Sequence, residues 1–418
     1  MSRTGPLAGA ISTLREMAER TPATRERHVD LLRAAAIGVV VVGHWLAMAV
    51  VYENGNLDGR NALDVLTWAH PLTWVLQVMP IFFLVGGFAN AASLASHRRK
   101  GGDAVSWVLR RTDRLLRPVT PLLVLLPLAA VVAWLAGVET ELIGSATWIA
   151  TIPLWFLLAY LAVVVFTPPM HALHRRYGLW VLLALVVVVA AADLLRLGPG
   201  TPDLAEINFL VFWLAVHQFG FAWQDGRIPL DQRFAAAVFA LGLSVLVVLT
   251  GPGPYEVRMV GVNTDPPTLA LLALATAWAG VVLFLRPWSD RWLQRRRPWT
   301  VVVAVNSVIL TLFVWHMTAA VISATIVYPA GLIGQPDITT GAWLAWRIPW
   351  VLSAAVVLLV LLAVFGRIEI GRGPSGGTER GWLRDAATLL GIAGVLGGLL
   401  GIATADDAYH GPGGLPAA

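Results

Sequence analysis

The chain has 418 residues, 57% of them hydrophobic and only 13% charged, and its mean hydropathy is +0.71. Soluble domains carry about 25% charged residues, so an ordinary water-soluble enzyme is excluded. The absence of cysteine removes disulfides, thiolate metal sites and a cysteine nucleophile.

Residues 1–28 form a basic tail. Arg3, Arg15, Arg20, Arg25 and Arg27 stand there among acidic residues with no apolar core, which is not the pattern of a signal peptide. Leu7 to Met17 reads either as a short amphipathic helix on the membrane surface or as a solvated tail. Apolar windows long enough to cross roughly 30 Å of hydrocarbon then follow near 29–52, 72–96, 118–138, 145–166, 178–196 and 205–223. Others lie near 234–251, 267–286, 299–328, 342–366 and 383–405. The expectation is an all-α, polytopic transmembrane bundle of about eleven spans. Residues 367–382 would form a loop before the last span, and 406–418 an external tail.

Charge decides the orientation. About 26 of the 30 Lys and Arg residues fall on the side of the N-terminus, and about four fall opposite. The positive-inside rule therefore predicts a cytoplasmic N-terminus in an inner, cytoplasmic membrane. That distribution accounts for the basic pI without a nucleic-acid partner. No internal repeat of the transporter kind is visible.

Charged and imidazole side chains inside a span read as functional, because each costs about 2.5–3.5 kcal/mol to insert. The first span reads His28-Val29-Asp30-Leu31-Leu32-Arg33, then an apolar stretch, then Gly43-His44-Trp45. Eleven residues make close to three turns, so Arg33 and His44 share one face about 16 Å apart along the axis. Asp30 lies one turn before Arg33 on nearly the same side. The alternative is that Arg33 snorkels and His44 bonds a neighbouring helix. His217, His316, Asn208 and Asn306 read as interhelical hydrogen-bonding groups. The nine histidines show no HExxH or similar spacing, so no metal site is expected.

In the second span Gly86-Gly87 permits close approach of a helix or a ligand. The basic loop after it places Arg110, Arg114 and Arg117 at i, i+4 and i+7 on one face of a short helix before Pro118. Such a stripe suits a phosphorylated ligand or anionic lipid headgroups.

Taken together these features resemble the acyltransferase-3 family of integral-membrane O-acyltransferases. The residues that carry the resemblance are Asp30-Leu31-Leu32-Arg33 with His44, Phe82-Phe83-Leu84-Val85-Gly86-Gly87-Phe88, and Arg110-Arg111-Thr112-Asp113-Arg114 leading to Pro118. Pro153-Leu154-Trp155-Phe156-Leu157 and the late Trp315-His316 add to it. Gly86 stands where the family usually has serine. One span exceeds the usual ten, which implies a ten-helix acyltransferase domain over 29–366 and an additional helix over 383–405. No esterase-like domain is expected in the residues that follow.

The resemblance implies an acyl-CoA co-substrate in the cytoplasm, no bound cofactor, and a carbohydrate or glycosylated acceptor. It implies catalytic roles for His44, Arg33 and Asp30, with His44 a general base or the carrier of an acyl group. It implies substrate binding by Arg110, Arg111, Arg114, Trp155 and His316. A transporter or flippase using the buried His and Arg as a relay is the alternative, and a non-catalytic scaffold is a third.

Reporter fusions after Gly101, Arg175, Arg296 and Gly376 are expected to read cytoplasmic, and fusions after Asn56, Gly200 and Gly334 external. An external reading at Arg296, beside the densest basic run, would overturn the span assignment.

Overall fold

The computed structural model describes residues 16, 18–22, 25–53, 56–198 and 204–370. Helices dominate because lipid offers the backbone no hydrogen-bond partners, so each spanning segment satisfies its own N–H and C=O groups. The first crossing is α1 (Arg27–Ala47) and the second is α2 (Met79–Arg99). The third is a pair bent by 42°, α3 (Ala104–Leu116) and α4 (Thr120–Leu135). Then come α5 (Thr140–Thr151) with α6 (Leu154–Tyr177), α7 (Leu179–Arg196) and α8 (Asn208–Gln224). The last described crossings are α9 (Gln232–Thr250), α10 (Leu269–Trp292), α11 (Arg296–Ser307) with α12 (Ile309–Val327), and α13 (Gly341–Ile370). The protein is an all-α, multi-pass membrane bundle. Among the described residues nine segments qualify as spans by length and hydropathy, and the bent pair makes ten.

With the bent pair taken as one span, these segments correspond to the first ten expected, with different ends. The eleventh span, its preceding Gly-rich stretch and the external tail lie outside the described residues, as does nearly all of Leu7 to Met17. The first span stops at Ala47, not at 52. Met48–Glu53 instead forms a strand, β1, paired antiparallel with β2 (Asn56–Asn61) in the register Val50↔Gly59. Val50, Val51 and Tyr52 favour a strand, and Asn54-Gly55 is a hairpin dipeptide, whereas hydropathy alone does not distinguish the two structures. The window at 299–328 is broken at Val308, whose φ of −131° leaves the helical region. Helix α13 continues past 366 to Ile370.

Glycines set the closest helix contacts. A Cβ at Gly87 of α2 would overlap the carbonyl oxygen of His217, and one at Gly220 of α8 would overlap that of Leu84. These two backbones therefore touch directly, which brings Asn90 of α2 within a 3.1 Å hydrogen bond of His217. Gly242 of α9 and Gly280 of α10 make a second contact of this kind against Ala277 and Phe239. The outward faces of α4, α9 and α13 expose large apolar side chains such as Leu128, Leu241 and Leu352, as a lipid-facing surface requires.

At the end of the bundle opposite the N-terminus, residues 251–268 are pinned down by side chains. Buried Asp193 accepts hydrogen bonds from Tyr255 Oη (2.7 Å), the Leu269 N–H (2.7 Å) and Arg196 (2.8 Å). Arg258 pairs with Asp64 at 2.6 Å, and Gln77 donates to the Met259 carbonyl.

Gly87→Val is expected to cost about 1–3 kcal/mol through overpacking at the α2–α8 contact. It should lower the melting temperature in detergent, while Gly43→Ala, whose Cβ meets nothing within 4 Å, should not.

Candidate functional site

Helix α1 carries the site because both of its ends are anchored. At its start His28 bonds the Val282 carbonyl (2.9 Å) and Ser289 Oγ (2.6 Å) on α10. Asp30 receives Arg25 through two hydrogen bonds of 2.5 and 3.0 Å, and its backbone carbonyl accepts from Asn306 of α11. Asp30 is thus paired with Arg25 and not with Arg33. At the other end the free carbonyls of the last turn are met by buried donors. Trp350 Nε1 donates to the Trp45 carbonyl at 2.8 Å, and Arg347 donates to that of Met48 at 2.7 Å. Arg347 itself lies over the ring of Trp343.

Between these anchors, His44 Nδ1 lies 2.9 Å from His316 Nε2 on α12, with the rings stacked 5.0 Å apart. Trp45 Nε1 donates to the His316 carbonyl at 2.9 Å, so adjacent residues of α1 hold both the ring and the backbone of His316. His316 Nδ1 lies 2.6 Å from the Phe313 carbonyl oxygen. A carbonyl only accepts, so His316 donates from Nδ1 and its neutral ring accepts at Nε2. His44 must then donate from Nδ1. Its Nε2 keeps the lone pair, and among the described residues nothing bonds to it. The pair is oriented like a base with its support. Reading His316 as mere helix–helix glue misses this: its bond crosses helices, but the partner is His44.

The other end of the site lies near the start of α1. Arg33 makes no hydrogen bond or ion pair among the described residues. Tyr160 of α6, Arg111 of α3 and Asp30 are within electrostatic range of it. Glu369 is also in range, but its carboxylate is committed to the N-terminus of α12. There it accepts from the Leu310 and Thr311 N–H groups at 3.0 and 2.8 Å and from Thr311 Oγ1 at 2.7 Å, the favourable place for a negative charge. Arg111 Nε is buried without a partner, and Arg111 also lies in electrostatic range of His217. Two guanidiniums without a carboxylate therefore face one region inside the bundle.

The remaining arginines of α3 point elsewhere. Arg110 is exposed and contacts the ring of His97. Arg117 pairs with Asp113 at 2.5 Å. Arg114 is exposed and has no hydrogen bond or ion pair among the described residues. Spacing groups Arg110 with Arg114 and Arg117, yet it is Arg111 that the fold turns inward.

Aromatic rings join the two ends. His316 and Phe313 lie 5.9 Å apart by centroid, Phe313 and Phe156 5.0 Å, and Phe156 and Tyr160 5.6 Å. Phe83 and Trp213 flank this column, and Trp155 stands 6.2 Å from Trp213. The site therefore gathers His44, Arg33, Arg111, Trp155 and His316, and leaves Asp30, Arg110 and Arg114 outside its interior. Sequence reasoning passed over Tyr160, Glu369 and Arg347. A single Glu or Arg near the end of a long apolar window carried a weak signal, and Tyr160 carried none. Among the described residues no three His, Asp or Glu side chains are grouped to hold a metal.

A family model described as an acyltransferase domain, acyltransferase-3, matches residues 27–367. No curated protein and no solved structure matches the chain.

At neutral pH, ¹⁵N-histidine NMR of the detergent-solubilised protein is expected to show both His44 and His316 protonated at Nδ1 and unprotonated at Nε2. A proton on Nε2 of His44 would contradict the assigned hydrogen-bond direction.

Proposed function

This chain belongs to the acyltransferase-3 family, and from that premise we propose that it moves an acyl group from cytoplasmic acyl-CoA to a hydroxyl of a carbohydrate or glycosylated acceptor. The enzyme is a membrane acyltransferase; the donor, the acceptor and the residue roles are our reading. The observation that carries it is the His44–His316 pair, with one imidazole nitrogen left free, on the same helix as the unpaired Arg33.

The spacing suits the donor. Arg33 and His44 are about 16 Å apart along α1. The extended pantetheine arm of CoA also spans about 16 Å between sulfur and diphosphate, at the reach per bond of an extended chain. Arg33 and Arg111 would take the diphosphate by charge-assisted hydrogen bonds, placing the thioester beside His44. Arg110 and Arg114, on the exposed side of α3, extend the basic surface for the remaining phosphate. Trp155 and its aromatic neighbours would line the path, and the acyl chain needs such an apolar wall.

His44 Nε2 takes the proton of the acceptor hydroxyl while the oxygen attacks the thioester carbonyl. The C–S bond breaks as the ester C–O bond forms, and the imidazolium returns the proton to the departing thiolate. His316 serves as a positioning residue: it accepts the His44 Nδ1–H and stabilises the positive charge that forms on His44. Asp30, held by Arg25, positions the start of α1.

We place the N-terminus in the cytoplasm and the protein in the inner, cytoplasmic membrane. The arginine distribution supports this orientation, which sets Arg33 and Arg111 on the side where acyl-CoA is available. Arginines near that surface would also meet anionic lipid headgroups. The acceptor hydroxyl then approaches His44 from the opposite half of the bundle.

His44→Ala is expected to lower acyl transfer about 10²–10⁴-fold, as the loss of a positioned general base does, with insertion and acyl-CoA binding retained. An interhelical hydrogen bond in a membrane averages only about 0.6 kcal/mol, so a packing role would leave a working enzyme. His316→Ala should give a smaller loss, and Arg111→Ala should weaken acyl-CoA binding. Near-normal transfer by the His44 variant, measured with radiolabelled acyl-CoA in membranes, would overturn the mechanism.

A further inference from the structure

Tyr160 is a polar group that the bundle leaves without a partner. It sits on α6, 9% exposed, with its ring stacked on Phe156 and tilted against Phe83. The hydroxyl makes no hydrogen bond among the described residues. Tyr255 by contrast donates to Asp193, and Trp45, Trp74 and Trp350 donate to carbonyls, while the indole N–H groups of Trp213 and Trp315 are also without a partner among the described residues. The residue is nearly buried, yet its hydroxyl is left able to bond a ligand.

The backbone has been cleared to admit this side chain. A Cβ at Gly86 would lie 2.9 Å from Tyr160 Cε2 and 3.0 Å from its Oη, so any larger residue at 86 would displace the phenol. The cleared position is at a particular point in the site. Tyr160 is within electrostatic range of Arg33, and Phe156, one turn earlier on α6, passes the aromatic column on to Phe313 and His316. The hydroxyl therefore lies between the unpaired guanidiniums and the histidine pair.

We propose that the Tyr160 hydroxyl is a contact for the amide-bearing arm of the acyl donor, set between its phosphates and its thioester. The proposal rests on the acyl-CoA reading above and identifies a residue of that same site. The chemistry is complementary. A phenol donates one hydrogen bond and accepts others, and the pantetheine arm offers amide C=O and N–H groups along its length. The arm must leave water to enter the bundle, so its amides need partners there. Between Arg33 and the histidine pair the column is mostly aromatic, and Tyr160 and the unpartnered Trp213 Nε1 are its polar groups. Tyr160 thus distinguishes a donor with an amide-bearing arm from a simple alkyl thioester.

The test is equilibrium binding to the full-length protein in detergent, with CoA and with adenosine 3′,5′-bisphosphate, which keeps phosphates but lacks the arm. Tyr160→Phe retains the ring and its stacking. It is expected to weaken CoA binding about two- to tenfold, the effect of one hydrogen bond, and to leave the bisphosphate unaffected. Arg111→Ala should weaken both. Unchanged CoA affinity in Tyr160→Phe overturns the proposal, and so does an equal loss for the two ligands. Where the bisphosphate binds too weakly to measure, the CoA affinity decides. A wild-type protein that binds no CoA removes the acyl-CoA reading itself, whereas wild-type binding with an indifferent Tyr160→Phe removes only the Tyr160 assignment.

Discussion

Inside hydrocarbon a polar group has only the protein to bond with, and the architecture of this bundle follows from where that demand is met and where it is not. Most buried polar groups are answered. His28 is held by α10, Asp193 takes three donors, and Arg347 is met by the Met48 carbonyl, Tyr328 and an aromatic face. Others are not, and four of the groups without a partner belong to the candidate site. Arg33 is unpaired, Arg111 Nε and Asn90 Oδ1 are unmet, and the Tyr160 hydroxyl is unbonded. A soluble protein could leave such groups to water. Here they lie beside the candidate site, while other unmet atoms such as Arg196 Nε and Arg258 Nε lie at the opposite end.

The histidine pair shows the same demand turned to order. His316 could have bonded any neighbouring helix. It is instead fixed at Nδ1 by Phe313, at its carbonyl by Trp45 and at Nε2 by His44. Each bond determines the next, so the free nitrogen falls on His44. The carbonyls at the end of α1 take part as well, because Trp350 and Arg347 occupy them and keep the last turn against α12 and α13. Bonding of one imidazole to another, and of that partner to the backbone, keeps His44 in one tautomer without a carboxylate.

The charge asymmetry also acquires a structural form. The four basic residues opposite the N-terminus are all engaged: Arg60 with Asp58, Arg196 with Asp193, Arg258 with Asp64, and Arg347 with backbone and rings. On the N-terminal side Arg33 and Arg114 are not. The bias toward the N-terminal side thus becomes more pronounced when only unpaired charge is considered. On the proposed reading that side would meet the phosphates of the donor, with Arg33 and Arg111 reaching inward.

Composition and hydropathy by themselves determined the class of protein, nine or ten of its candidate spans and the face shared by Arg33 and His44, because helical periodicity and the thickness of hydrocarbon are local constraints. The Arg33 and His44 motif with Arg110-Arg111-Thr112-Asp113-Arg114 also identified the family. What no local rule reaches is the meeting of side chains from distant helices. The hairpin after Ala47 competed with a continued helix of the same hydropathy. Arg111, not Arg110, turns inward because α3 buries Trp107, Val108, Thr112 and Leu115. His44 and His316 are 272 positions apart, and the space that Gly86 leaves for Tyr160 exists only once α2 and α6 are packed. Partnerships of this kind are decided by tertiary structure, since a side chain in a membrane is defined less by its own chemistry than by which helix is placed against it.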